Sequence, residues 1–202
     1  MPRIVVTEFL TLDGVMQAPG SPTEDRDGGF DYGGWQMSYF DDVFGEFVMN
    51  GMAESGGMLL GRRTYDIFAG YWPKQDPSVQ PTVPFNKATK YVLSKSSPDL
   101  SWQNSVLIDG DVVAKLKELK AGEGPMLQVH GSGNMIQTLL KNDLVDELWL
   151  KIFPVLLGNG KRLFADGTVP AGFELISSET TPLGVIYASY KRAGEVRTGS
   201  FA

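Results

Sequence analysis

Strand-like segments alternate with helix-like segments through most of this chain, and that alternation restricts the fold more than any other feature of the sequence. It predicts an α/β fold with a mostly parallel central sheet. The first segment, 3–14, is apolar on both faces at its start, which favours a central strand. The last two segments, 173–181 and 185–192, alternate like an antiparallel pair and predict a C-terminal hairpin at one edge. The other predicted strands lie at 56–61, 90–96, 126–131 and 146–157, segment 105–122 reads as strand, turn and helix, and further helices begin near 37, 62 and 132.

Length and composition suit a single domain that spans 1–202, with 193–202 as a frayed tail. Hydrophobic residues make up 42% of the chain, which is enough for a sizeable core. No apolar run approaches the roughly 18–20 residues that a membrane span needs. The N-terminal segment MPRIVVTEF has neither a long apolar stretch nor a small-residue cleavage site, so we expect no signal peptide. We therefore expect a cytoplasmic protein.

Two scarce residue types exclude whole classes of chemistry. Cys is absent and His130 is the only histidine. This excludes disulfides, thiolate nucleophiles and Cys-based zinc sites, including the zinc site of nucleobase deaminases, so we expect no metal. The net charge of −6 argues against nucleic acid, because binding to a phosphate backbone needs clustered Lys and Arg.

Three predicted strand ends carry groups that suit a phosphate, and ligands of open α/β sheets bind beyond the carboxyl ends of the strands. LLGRRTYD (59–66) combines a glycine, two arginines and a threonine hydroxyl ahead of a helix. VLSKS (92–96) ends in a serine and a lysine. HGSGNM (130–135) places two glycines around a serine, again ahead of a helix whose first N–H groups attract anions.

Each of these features has an ordinary structural explanation when it is taken alone. A GxG between a strand and a helix is often only a tight turn, paired arginines at a helix start often face solvent, and Ser-Lys is common at strand ends. Together they predict a dinucleotide site in which helix N-termini hold the phosphates and nearby cations contact a 2′-phosphate. The turn is not the Rossmann fingerprint, because it lacks the third glycine and comes late in the chain.

The order of the motifs resembles the dihydrofolate reductase-like superfamily over roughly residues 3–192. One stretch, LVDELWLKIFPVLLGNGKRLF (144–164), is not typical of dihydrofolate reductase itself. It is similar to the reductase domain of the bifunctional deaminase-reductase of riboflavin biosynthesis and to free-standing bacterial relatives of that domain. The other matching motifs are TLDGVMQAPG (11–20), LLGRRTYD (59–66), KYVLSKS (90–96) and VHGSGNM (129–135).

The resemblance implies a three-layer fold, NADPH as cofactor and transfer of a hydride. It assigns 61–64 to the pyrophosphate and adenosine end of the cofactor and 131–135 to the pyrophosphate. It assigns 93–95 to the adenosine ribose and its 2′-phosphate, and 15–16 to a mobile loop over the nicotinamide. The implied cofactor residues are Val15, Met16, Gly61, Arg62, Arg63, Thr64, Leu93, Ser94, Lys95, Gly131, Ser132, Gly133, Asn134 and Met135.

The reaction also needs a proton, which a carboxylic acid or water can supply. Asp13 follows the first strand, where the resemblance puts the nicotinamide, but it also suits a turn before Gly14. Glu46 lies on the first long helix, about where related enzymes hold their substrate carboxylate, and it also suits a solvated helix face. We expect one of these two to be the acid and favour Asp13. His130 is better explained as a strand-end residue than as a base.

Five aromatic residues are candidates for the wall of a substrate pocket, although core packing would explain most of them equally well: Trp35, Tyr65, Phe68, Trp72 and Phe153. Outside the cofactor positions the sequence contains no basic cluster dedicated to a sugar phosphate. This argues for caution about the substrate of the riboflavin pathway.

Several functions remain open from sequence. The first is an NADPH-dependent reductase of a small heterocyclic or carbonyl/imine substrate, with the pyrimidine reductase step of riboflavin synthesis as the nearest named activity. The alternatives are a dihydrofolate-type pterin reductase, a non-catalytic module that binds NADP, and a structural homodimerising domain without a cofactor. The apolar segments 146–157 and 173–192, through which the family commonly pairs its subunits, predict a homodimer.

Overall fold

The computed structural model describes residues 1–201, in which a sheet of eight strands is covered by helices on both faces. The strands are β1 Ile4–Thr11, β2 Ser55–Gly61, β3 Thr89–Leu93, β4 Ser105–Ile108, β5 Met126–Val129, β6 Glu147–Phe153, β7 Phe173–Thr180 and β8 Ile186–Arg192. The α-helices are α1 Asp42–Ala53, α2 Arg62–Tyr71, α3 Thr82–Lys87, α4 Val112–Ala121 and α5 Gly133–Lys141.

The strand order is β4-β3-β2-β5-β1-β6-β8-β7. The pairs from β4 to β6 are parallel, whereas β8 runs antiparallel to both β6 and β7. Helices α1, α2 and α3 cover one face, and α4 and α5 pack on the other. The predicted α/β fold, with three layers, a mostly parallel sheet and an antiparallel C-terminal hairpin, is confirmed.

Strand β1 is the centre of the sheet and is buried along almost its whole length. Its β-branched start, IVVT, suits a strand covered on both faces. It pairs with β6 through Thr11 but with β5 only over Ile4–Val6. Because β5 ends at Val129, the second half of β1 has no neighbour on that side. The sheet therefore opens at its carboxyl edge between β1 and β2.

The described part of the chain differs from the sequence expectations at two helices. Helix α1 begins at Asp42 and not near residue 37, because the Asp41 carboxylate accepts the Phe44 N–H at 2.7 Å and caps the helix there. Met37, at the expected start of this helix, lies in a separate 3₁₀ turn and is exposed. Helix α3 lies in a segment for which the sequence indicated neither a helix nor a strand.

The last described residues, 193–201, follow β8. Residues 193–201 form no helix or strand, although Gly194 accepts a backbone hydrogen bond from Gly172. Among residues 1–201, no helix has the length and apolar character needed to cross a bilayer.

Candidate functional site

A large cavity of about 2000 Å³ lies at the carboxyl edge of the sheet, where β1 and β5 separate. The early end of β5 lets the turn before α5 rise between β1 and β2. The predicted cofactor residues from four separate segments line this one cavity, with the exception of Val15, whose side chain is enclosed in the core. Those at the cavity are Met16, Gly61, Arg62, Arg63, Thr64, Leu93, Ser94, Lys95, Gly131, Ser132, Gly133, Asn134 and Met135.

One serine hydroxyl joins the two turns that lead into α2 and α5. Ser132 Oγ accepts the Gly61 N–H at 2.9 Å and lies 2.8 Å from Thr64 Oγ1. A Cβ on Gly61 would lie 2.8 Å from Ser132 Oγ, and a Cβ on Gly131, whose φ is +56°, would lie 2.8 Å from Thr64 Oγ1. Both glycines are therefore required for the close approach of the two turns.

The two helices that begin at this junction lack side-chain caps. Asp41 and Asp111 cap α1 and α4, but no side chain caps α2 or α5. Ser132 occupies the N-cap position of α5, yet its hydroxyl is committed to the neighbouring turn. Both helices begin at residues that line the cavity, so their first N–H groups and the helix dipoles could hold an anion there.

The predicted cations have different roles in the structure. Arg62 pairs with Asp66 and reaches Ser96 Oγ at 3.4 Å, beside the exposed Lys95 at the end of β3. Arg63 instead pairs with Asp25 and Asp27.

Lys161 binds the same two carboxylates, at 2.7 and 2.9 Å. The ion pairs with Arg63 and Lys161 hold the pKa of Asp27 well below its usual range. They fix the loop 17–36 over the cavity, so Arg63 is largely neutralised by this loop.

The other end of the cavity has aromatic walls. Phe44, Phe47, Trp149 and Tyr187 line it beneath α1, and the rings of Phe47 and Tyr187 stack at 4.1 Å between centroids. A second aromatic wall is formed by Phe68, Trp72, Phe85 and His130.

Three of the predicted pocket residues are core residues instead, whereas Phe68 and Trp72 line the cavity. Tyr65 is fully buried, and its hydroxyl accepts the backbone N–H of Trp102. Trp35 donates its indole N–H to the Gln17 carbonyl oxygen, and Phe153 packs among other rings with no exposed surface. Trp35, Tyr65 and Phe153 therefore do not form the wall of the cavity, because their rings are buried in the core, which is the alternative that the sequence left open.

Neither predicted acid lies in this cavity. The Asp13 carboxylate accepts the N–H groups of Gly158 and Leu157 at 2.8 and 3.3 Å and a hydrogen bond from Thr11 Oγ1. The Thr11 hydroxyl, followed by these amides, holds the pKa of Asp13 below its usual range, so the group is an ionised anchor for the loop after β6. Glu46 is exposed on the outer side of α1.

Sequence reasoning missed two charged residues that do line the cavity, Glu8 on β1 and Lys151 on β6. Both are at least nine-tenths buried. Lys151 Nζ donates to Thr7 Oγ1, and burial lowers its pKa to about 7 against the attraction of Glu8. Charged residues in the middle of a central strand are rarely buried unless they are paired or functional. The charged residue types at these two strand positions could have been noticed in the sequence.

His130 is neutral in this environment. Burial, with a smaller effect of the Lys151 charge, lowers its pKa to about 3. Its Nε2 lies 3.1 Å from Gln128 Oε1. The imidazole is thus an aromatic wall with one polar contact, as its position at the end of β5 suggests.

Comparison with known proteins identifies the family. The model of the RibD C-terminal domain matches residues 2–187. The chain belongs to this family. The uncharacterised protein YyaP of Bacillus subtilis (strain 168) is 28% identical over 191 residues, which cover 93% of this chain and 94% of YyaP.

Solved structures agree with this assignment. A protein of Shewanella sp. PV-4 described as a riboflavin biosynthesis protein is 26% identical, with a TM-score of 0.70 over 95% of this chain and 99% of its own.

Two more distant structures show the same fold. The diaminohydroxyphosphoribosylaminopyrimidine deaminase/5-amino-6-(5-phosphoribosylamino)uracil reductase of Thermotoga maritima is 14% identical, with a TM-score of 0.63 over 95% of this chain and 57% of its own. Dihydrofolate reductase of Enterococcus faecalis, solved with NADP(H), is also 14% identical, with a TM-score of 0.58 over 94% and 96% of the two chains. The predicted dihydrofolate reductase-like fold and the predicted resemblance to the reductase domain of riboflavin biosynthesis are confirmed.

In this RibD C-terminal domain, Asp13→Asn tests the structural role of the carboxylate. Because the folded-state pKa is lowered, the ionised group stabilises the fold above its unfolded pKa, and this contribution is lost as the pH falls through the folded pKa. We expect the variant to lose about 1 kcal/mol of unfolding free energy at neutral pH. Urea unfolding at several pH values should show that the difference from wild type shrinks in acid. Asp99→Asn, at an exposed position, is the control, and a difference that does not change with pH would contradict this role.

Proposed function

We propose that this protein is an NADPH-dependent reductase that transfers a hydride to a small heterocyclic or carbonyl/imine substrate. The nearest named activity is that of 5-amino-6-(5-phosphoribosylamino)uracil reductase, which is part of the name of the Thermotoga maritima relative. The observation that carries the proposal is the junction of two uncapped helix N-termini at Ser132, which opens into a cavity with aromatic walls.

From β3 to β1, the residues at the carboxyl edge of the sheet suit the successive parts of NADPH. Ser94, Lys95 and Arg62 suit the adenosine ribose and its 2′-phosphate at the end of β3. The N–H groups at the starts of α2 and α5 suit the pyrophosphate. This order leads the nicotinamide towards the open side of β1, where Met16 packs near Gly133.

The chemistry divides between the cofactor and the chain. NADPH would supply the hydride. The protein's own part is to orient the acceptor, exclude water and provide a proton. The aromatic side chains beneath α1 suit a flat acceptor, and the loop 17–36, held by Asp25 and Asp27, covers the site.

The cations near this aromatic end are already engaged. Arg3 pairs with Glu147 and Glu54, and Lys151 donates to Thr7. This arrangement favours an acceptor without a phosphate over the phosphoribosyl compound of the nearest named activity. A direct comparison of the phosphorylated compound with its dephosphorylated form, followed as NADPH oxidation, distinguishes the two.

Gly133→Val tests whether the turn holds the pyrophosphate. A Cβ at Gly133 meets only Met16 Sδ, at 3.5 Å, so the fold should tolerate the change, whereas the branched side chain would obstruct the first N–H groups of α5. We expect the dissociation constant for NADPH, measured by calorimetry, to rise about tenfold or more. Gly124→Val is the matched control, since a Cβ there meets nothing within 4 Å. Unchanged NADPH affinity in the Gly133 variant would mean that the turn is only structural, and failure of wild type to bind NADPH would reject the proposed function.

Lys95→Met tests the preference for a 2′-phosphate. A charge-assisted bond to the phosphate is worth roughly 1.5–3 kcal/mol, so the variant should bind NADPH about tenfold more weakly and NADH with unchanged affinity. Lys117→Met, on the exposed side of α4, provides the control. Equal dissociation constants of wild type for NADPH and NADH would contradict the choice of cofactor.

We also infer a two-fold homodimer through β7 and β8. Strand β7 is an edge strand, and Leu175 is 51% exposed on it. We expect light scattering to give a dimer at micromolar concentration and Leu175→Lys to weaken it, while Val106→Lys at the opposite edge leaves it intact. A monomeric wild type would reject the dimer, and a Leu175→Lys variant that dimerises as well as wild type would exclude this surface.

A further inference from the structure

Glu8 stands out among the residues that line the cavity. On β1 it shares a face with Ile4, Val6 and Leu10, all of which are buried core residues, and it is itself only 4% exposed. Its Oε1 atom has no hydrogen-bond partner. A buried, unpartnered carboxyl oxygen is costly, and the apolar row would have been completed more stably by Val or Leu. The position is therefore better explained by the ligand chemistry of the cavity than by the fold.

The strand order puts Glu8 at the end of the cofactor path. Strands β3, β2, β5 and β1 are consecutive neighbours, so the path from Ser94 to β1 crosses three strand spacings, about 14 Å. Glu8 lies in the half of β1 that β5 leaves unpaired, with the backbone N–H of Gly131 close to its carboxyl group. The glycine turn and Glu8 thus border the same part of the cavity.

The surroundings of Glu8 keep its carboxyl group protonated near neutral pH. Burial raises its pKa to about 8, and the negative charge of Glu24 acts in the same direction. The Lys151 charge and the Gly131 amide oppose this increase. Because burial also drives Lys151 towards its neutral form and His130 is uncharged, no strong cation compels Glu8 to ionise.

We propose that Glu8 is the catalytic acid of this site. This inference rests on the proposed reductase function. As the hydride from NADPH forms a C–H bond at the acceptor carbon, the C=N or C=O π bond breaks. Its electron pair then takes the proton from the Glu8 O–H. NADPH is oxidised to NADP⁺, the acceptor is reduced, and Glu8 is left as a carboxylate beside Lys151 until it regains a proton from solvent.

Glu8→Gln removes the proton and preserves the shape of the side chain. We expect NADPH affinity to change less than about twofold, because Gln fills the same space and still offers an oxygen to the Gly131 amide. The rate of NADPH oxidation should fall ~10²–10⁴-fold with the dephosphorylated form of 5-amino-6-(5-phosphoribosylamino)uracil, or with dihydrofolate, as acceptor. Wild-type turnover should decline as the pH rises through about 8, the pKa of Glu8. Glu46→Gln, on the outer side of α1, should turn over like wild type.

An infrared titration measures the protonation state of the Glu8 carboxyl group and does not depend on turnover. The carboxylic acid C=O band in the wild-type minus Glu8→Gln difference spectrum, recorded with and without NADPH, should be present at neutral pH and disappear in alkali. Glu8→Asp retains an acid and should recover part of the turnover, and thermal melts establish that each variant folds. Ionised Glu8 at neutral pH, or full turnover by Glu8→Gln, overturns the proposal. Failure of wild type to bind NADPH overturns the reductase function instead, so the two failures are distinguishable.

Discussion

The hydrogen bonds of the Ser132 hydroxyl hold together the two turns on which the candidate site depends. Gly61 and Thr64 belong to the first turn, and Ser132 belongs to a turn seventy residues away in sequence. Ser132 has a φ of 62°, which is uncommon for a residue with a side chain and costs of order 1–3 kcal/mol. Because its hydroxyl serves the junction, it leaves α5 uncapped. The same contact that closes the fold therefore leaves two sets of helix N–H groups available to an anion.

The short pairing between β1 and β5 explains the rest of the site. Had β5 continued beside β1 past Val6, its side chains and ladder hydrogen bonds would have filled the space that the cavity occupies. The gap instead admits the glycine turn and leaves the second half of β1 without a neighbouring strand on that side. Glu8 lies in that unpaired half, which is why a carboxyl group on a core strand still lines the cavity. The ion pairs of Asp25 and Asp27 with Arg63 and Lys161 then close the loop 17–36 over it.

Errors in the predicted site have a common physical origin. Asp13 was assigned from its place in a motif, yet its carboxylate accepts hydrogen bonds from the N–H groups of Gly158 and Leu157, which lie far along the chain. Tyr65 belongs to a correctly predicted helix, but its side chain is buried in the core and does not line the cavity. Motifs therefore located segments that the structure brings together at one cavity, whereas the direction of each side chain depended on partners that local sequence does not reveal. Glu8 could have been found, because a carboxylate in an apolar strand row is visible in the sequence.

The sequence by itself determined the α/β class, the central place of β1, the C-terminal hairpin and the three strand ends that surround the cavity. These follow from hydrophobic periodicity, glycine and short motifs, which act over a few residues. The tertiary structure alone decided where β5 stops beside β1, which of Arg62 and Arg63 is neutralised, and which carboxyl group is buried at the cavity and which is held as an ionised anchor. Those outcomes depend on burial and on contacts between residues distant in sequence, because a carboxyl group is driven to its neutral or charged form by the groups that surround it.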